Sequence, residues 1–185
     1  MAQCKGLAVS SRLHWVEQHH GAEGLERLKA ALRPEHQALV AQHILPHAWV
    51  PMELFIDVNV AADRLFGAGD LALCQTMGAW AAEATLPRLF RLFYRLGSPM
   101  FIFERAAKLW SAHYDTGRLE PSRDPSGVVH LIIRDVENPH RAHCLSVLGW
   151  AAKSIELSGS KVTLADEKRC RTWGADCCEL LLAWE

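Results

Sequence analysis

Apolar residues recur at three- and four-residue intervals through most of the first 110 positions, the spacing of a buried stripe on an α-helix. Amphipathic runs over 11–20 and 22–32 predict two helical segments, and Pro34 suits the first turn of a third. From 51 to 66, Leu54, Phe55, Val58, Ala61, Ala62 and Leu65 keep the same period until Gly67-Ala68-Gly69 interrupts it. Asp70 reads as the N-cap of a helix that carries Leu71, Cys74, Met77, Gly78 and Ala81 on one stripe. Thr85 with Pro87 opens another, holding Leu89, Phe90, Phe93 and Leu96. Ser98-Pro99 then launches a helix through Phe103, Ala106, Ala107 and Trp110.

Beyond Trp110 the pattern changes. His113-Tyr114 before Asp115-Thr116-Gly117 reads as a strand entering a turn, 120–127 as a loop, and Val128-Val129-His130-Leu131-Ile132-Ile133 as a β-branched strand. Asn138-Pro139 begins a long helix with Cys144, Leu148, Ala151 and Ile155 on its face, which Ser158-Gly159 stops. Strands follow over 162–170 and 178–184, the second alternating Cys178, Leu180, Leu182 and Trp184 with Glu179, Leu181 and Ala183. The fold predicted is α+β: N-terminal helices, then a small four-stranded antiparallel sheet crossed by a long helix. No repeat or linker divides the chain. It is expected to form a single ligand-binding-type domain over 1–185, mainly helical to 110 and sheet plus helix from 111.

Composition narrows the function. With 185 residues, 50% hydrophobic and 22% charged, the chain has ample apolar material for one core. A net charge of -1 supplies no basic excess for nucleic acid or an anionic membrane. The longest uncharged apolar stretch, 71–82, is too short to span a bilayer, and the N-terminus lacks a secretory pattern. A cytoplasmic location is expected, with the six Cys as reduced thiols.

The densest chemistry lies in Glu167-Lys168-Arg169-Cys170 and Arg171-Thr172-Trp173-Gly174-Ala175-Asp176-Cys177-Cys178. A turn at Gly174 folds the last strand onto the one before it, which brings Cys170 towards Cys178. Cys144 can add a thiol from the helix packed on these strands. Two readings stand on spacing alone. Buried thiols are commonly plain core, whereas three thiolates and a carboxylate make a closed four-ligand set suited to tetrahedral Zn2+. Cys177 and Cys178 face opposite sides of a strand, so only one of them belongs to such a set.

The segment Cys144-Leu145-Ser146-Val147-Leu148-Gly149-Trp150 and the ending Glu167-x-x-Cys170-x-x-Trp173-Gly174-x-x-x-Cys178 resemble the 4-vinyl-reductase-type domain. That family belongs to the ligand-binding superfamily of the NO-sensing haem domains and the trafficking-complex subunits. The resemblance covers the last third of the chain. It implies a structural zinc ion held by Cys144, Glu167, Cys170 and Cys178, a small apolar or aromatic ligand, and a homodimer. The chain reaches Glu185 directly after the last strand, so output is expected through a separate effector protein.

Trp80, Phe90, Phe93, Phe103, Trp110 and His113 are candidates for lining a ligand cavity, with ordinary core packing as the competing reading for each aromatic. Haem has no support beyond a lone His113, which is more simply structural. His14, His19, His20, His36, His43 and His47 read as solvated surface. Glu83 reads as a charged helix end, and no catalytic constellation is present. The function expected is a small-molecule-binding sensor or carrier module. The alternative is a ligand-free homodimeric scaffold like the trafficking subunits.

Overall fold

The computed structural model describes residues 1–84 and 98–185; the helix expected from Thr85 and Pro87 lies outside them. α1 (Gly6–Ala31) joins the first two predicted runs, and Gly21, at φ 69° and ψ -177°, breaks it where the sequence placed the boundary. Its start lies a turn and a half before 11 because tertiary bonds fix it: Gly6 and Leu7 donate their N–H groups to the carbonyls of Ala48 and Pro46. β1 (Gln3–Lys5) pairs antiparallel with β2 (Trp49–Pro51), a ribbon too short to leave a period in the sequence. α2 (Pro34–Val40) starts at the predicted proline, and α3 (Met52–Phe66) ends at Gly67.

The turn into α4 (Ala72–Ala84) is held by two carboxylates. Asp70 Oδ1 accepts from the Ala72 N–H at 2.9 Å, as a cap should. Asp63, fully buried on α3, accepts from the N–H groups of Leu71 at 2.9 Å and Leu73 at 3.1 Å, with Leu71 at φ 72°. Asp63→Ala would leave two N–H groups without a buried acceptor, so a loss of about 2 kcal/mol is expected in chemical denaturation. An unchanged midpoint would show that water replaces the carboxylate at no cost.

α5 (Pro99–Lys108) is capped by Ser98, whose Oγ accepts from Phe101 N–H at 3.3 Å. The chain then departs from expectation twice. Trp110–His113 is a short helix, α6, and Tyr114 makes only an isolated bridge to Cys4, so no strand enters a turn there. The stretch taken as a loop over 120–127 instead contributes most of β3 (Arg118–Arg123). Pro121 is tolerated because β3 is an edge strand, where one missing N–H breaks no second ladder.

β4 (Val129–Arg134), α7 (Arg141–Leu157), β5 (Val162–Arg169) and β6 (Cys178–Trp184) follow the predicted order. The four-stranded antiparallel sheet runs β3-β4-β6-β5, which establishes the α+β class. Val129, Leu131, Ile133, Leu180 and Leu182 bury one sheet face against α7. A second core lies among α1, α3 and α4, around Val9, Trp15, Leu54, Phe55 and Met77. The two halves meet where α4 crosses α7. There a Cβ on Gly78 would stand 2.1 Å from the Ser146 carbonyl oxygen, and one on Gly149 1.9 Å from that of Gln75. None of the described helices is long and apolar enough to cross a membrane.

His36 corrects the surface reading of the histidines. It is buried, and its Nδ1 lies 2.7 Å from Asp57 Oδ2 in a pair that joins α2 to α3. Its neighbours in the pattern, His19 and His20, are exposed but stack on Trp15 and Phe66.

Candidate functional site

Two sites emerge. The first is a sulfur cluster at the base of α7. Cys144 lies in the first turn of that helix, Cys170 follows β5, and Cys178 opens β6; their three Sγ atoms are buried within 4.8 Å of one another. A single 3-10 turn (Arg171–Trp173) and Gly174 in the left-handed region at φ 85° bring Cys170 and Cys178 together at 3.9 Å. The Arg171 N–H donates to Cys178 Sγ at 3.4 Å, and Thr172 Oγ1 lies 3.0 Å from Cys170 Sγ. Hydrogen bonding with Cys144 holds the Cys170 thiol down to about 5 and Cys178 below its ordinary range, while Cys144 itself is pushed up. Cys170 and Cys178 are thus shifted towards the thiolate, the form that binds a metal, with Cys144 as the thiol that donates to them.

Glu167, the fourth predicted ligand, lies near Cys170 but outside the group formed by the three sulfurs. On a regular strand, residues three apart face opposite sides, but β5 shifts register between Glu167 and Arg169, and both Glu167 and Cys170 are buried. Arg141 Nε donates to Glu167 Oε2 at 2.6 Å, while the buried Oε1 has no partner. Burial pushes the Glu167 carboxyl up to about 7 despite Arg141, and Cys170 adds to the rise. Cys177 is buried apart from the cluster, near Asp176, Arg134 and Arg169. Of the two adjacent thiols it is therefore Cys178 that the structure gathers with Cys144 and Cys170.

The second site is a cavity of about 800 Å3 bounded by α1, α4, α5, α6 and α7. Its walls are chiefly apolar, formed by side chains such as Phe55, Ile102, Trp110, Val147 and Trp150. Of the sequence candidates, the structure brings Trp110 and His113 to the lining, with His113 exposed at its edge. Phe103 is buried in the sheet core against the rings of Trp150 and Trp184, outside the lining. Trp80 packs against the other core with its ring 5.5 Å from that of His14. Phe90 and Phe93 lie outside the described residues. Glu83 is exposed at the end of α4, 3.8 Å from Lys153 Nζ, the charged helix end that was expected.

Sequence reasoning missed Arg12. It is 4% exposed on α1 and lines the cavity. Its place in an apolar stripe, three residues after Val9 and four before Val16, was the available signal. Also unforeseen is His143, fully buried with an unpartnered Nε2 among the rings of Phe55, Trp110 and Tyr114. Burial pushes its pKa down to about 4, with Arg12 and His140 adding to the fall, so the ring is neutral at physiological pH.

Neither a scan of protein-family models nor a search of curated proteins returns a match. Solved structures do match. An H-NOX protein from S. oneidensis in the Fe(II)NO ligation state aligns over 98% of this chain and 99% of its own, with a TM-score of 0.74 and 14% identity. The unliganded Fe(II) H-NOX protein from K. algicida aligns over 98% and 96% of the two chains, with a TM-score of 0.70 and 11% identity. The Fe(II)CO form of an H-NOX domain from Shewanella oneidensis, determined by NMR, aligns over 98% of each chain, with a TM-score of 0.69 and 15% identity. The chain therefore shares the fold of these H-NOX proteins, and at such low identity the likeness extends to the fold alone.

Proposed function

We propose that this chain is a small-molecule-binding sensor or carrier module whose sheet and long helix are clipped together by a structural zinc ion. The observation that carries the binding role is the cavity of about 800 Å3, a volume suited to a small organic ligand, which opens where the helices meet the sheet. Ala106 lines it, so Ala106→Trp would push an indole into the space and obstruct it. Native mass spectrometry of the purified protein, followed by denaturing extraction, should release a stoichiometric organic mass from wild type and none from Ala106→Trp. A wild type that is bare and stays bare with diverse hydrophobic compounds removes the binding role. That outcome favours the homodimeric scaffold, for which the exposed Phe101 and Leu109 beside the cavity offer an apolar surface.

Zinc at Cys144, Glu167, Cys170 and Cys178 is supported by the donor set. Three clustered sulfurs suit a thiophilic ion, and the unpartnered Glu167 Oε1 supplies the fourth, oxygen ligand while Arg141 steadies the other carboxylate oxygen. A closed set of four leaves no position for substrate, so the ion's role is to fix the base of α7 to the β5–β6 hairpin. This donor pattern favours the 4-vinyl-reductase branch of the superfamily over the iron-bearing branch.

The H-NOX structures hold Fe(II), and the NO-sensing relatives implied by the sequence resemblance use haem, but the residues of this cavity do not fit that group. An axial ligand must be a buried His, Cys, Met or Tyr facing the iron. The lining's one described imidazole, His113, is exposed at the edge; His143 stands behind the rings of Phe55, Trp110 and Tyr114. Tyr114 remains, and burial pushes its phenol away from the phenolate. The stretch 85–97 contains no His, Cys or Met, and its one Tyr, Tyr94, lies outside the described residues.

A further inference from the structure

We propose that the cavity ligand is an organic monocarboxylate, an apolar, partly aromatic body with a single acid group that forms its ion pair with Arg12. This rests on the binding role given to the cavity above and names the chemistry of what enters it.

A buried guanidinium needs a counter-charge, or its desolvation goes uncompensated. Arg12 has none among the described residues. Nε donates to Asn59 Oδ1 at 3.2 Å and Nη1 to Ser11 Oγ at 3.1 Å, both neutral acceptors, the guanidinium lies 5.3 Å from the Phe55 ring centre, and Nη2 makes no hydrogen bond among the described residues. Among the described residues no carboxylate lies within ion-pair distance of it. The neighbouring Tyr114 hydroxyl is also without a partner among the described residues. Burial lowers the Arg12 pKa to about 10, which leaves it charged at neutral pH.

The rest of the lining has the same sign. Lys5, Arg12 and Arg105 belong to the lining, with the Lys5 ammonium turned to the His47 carbonyl and the Trp49 ring and Arg105 exposed at the rim, and no Asp or Glu is among its described residues. Field lines of one sign in a low-dielectric pocket select an anion. One fully buried guanidinium presents a planar fork that matches one carboxylate bidentately, with the Tyr114 hydroxyl as a further donor. The apolar walls, with Phe55, Trp110 and Trp150 among them, take the body of the molecule.

The test uses 1-naphthaleneacetic acid and its amide, which differ only in the charge of the head, with binding followed by calorimetry and by quenching of tryptophan fluorescence at pH 7.5. Wild type is expected to bind the acid at least tenfold more tightly than the amide, the worth of a charge-assisted hydrogen bond over a neutral one being on the order of 10- to 100-fold. Arg12→Gln should remove that preference while leaving amide affinity within about threefold. Equal affinity for acid and amide in wild type overturns the inference, and this comparison needs no variant to fold. An acid preference that survives in a folded Arg12→Gln protein overturns it too. In both of those cases the cavity still binds, so the proposed function stands. Absence of binding by either compound, with the same result in Ala106→Trp, strikes instead at the cavity as a ligand site and takes the inference with it.

Discussion

Cys170→Ser is expected to bring zinc content from near one ion per chain to near zero in elemental analysis, and to lower the thermal midpoint in the same step. Metal and fold are linked because the ligands come from three separate places, the first turn of α7, the end of β5 and the start of β6, and only folding assembles them. The domain has two apolar cores of its own, so the loss should be partial, on the order of 3–5 kcal/mol or about 10 °C in the midpoint. Chelator treatment of wild type should reproduce the shift. Cys177→Ser serves as the control: that thiol lies outside the cluster, and the variant should keep its metal. Equal zinc in wild type and Cys170→Ser would take Cys170 out of the ligand set.

Gly149→Val should damage the fold as severely with no change in any ligand. A Cβ at this position would lie 1.9 Å from the Gln75 carbonyl oxygen and 3.0 Å from the Ala79 nitrogen, both backbone atoms of α4 that no rotamer change can move aside. The helices would have to part, losing contacts along the crossing, at a cost of about 3 kcal/mol or more. Even Gly149→Ala should be costly, because the Cβ alone creates the clash. Urea denaturation measures the effect, and a midpoint within error of wild type would mean that the two helices do not cross this closely in solution.

The parts of the fold legible in the sequence were those that repeat a period over many residues. α3, α7, β4 and β6 all declare themselves by spacing, Pro34 marks the start of α2, and the Ser98-Pro99 pair that of α5. What escaped were features decided by partners distant in the chain. The start of α1 depends on carbonyls some forty residues away, and Pro121 is admissible in a strand only because β3 lies at the sheet edge. His36 looked like one more polar surface residue until Asp57 on another helix buried it.

The same division runs through the sites. Cys144, Glu167, Cys170 and Cys178 stood out because cysteine is scarce and their intervals matched a known arrangement; the register shift after Glu167 in β5, beyond which Cys170 is buried as well, left no mark in composition. The cavity was harder to read. Aromatic residues fill space and enclose it with equal ease, so Phe103 and Trp110 looked equivalent until one proved to be core and the other wall. Arg12 offered the more informative pattern, a lone cation within an apolar stripe.

α7 carries both a sulfur of the cluster and, over Ser146, Val147 and Trp150, part of the cavity wall. If the proposed guest shifts this helix and so alters the grip on the proposed ion by some factor, the ion must alter the grip on the guest by the same factor. Titrating either one in the presence and absence of the other yields a single coupling constant, and its size measures how much of the message travels along this shaft.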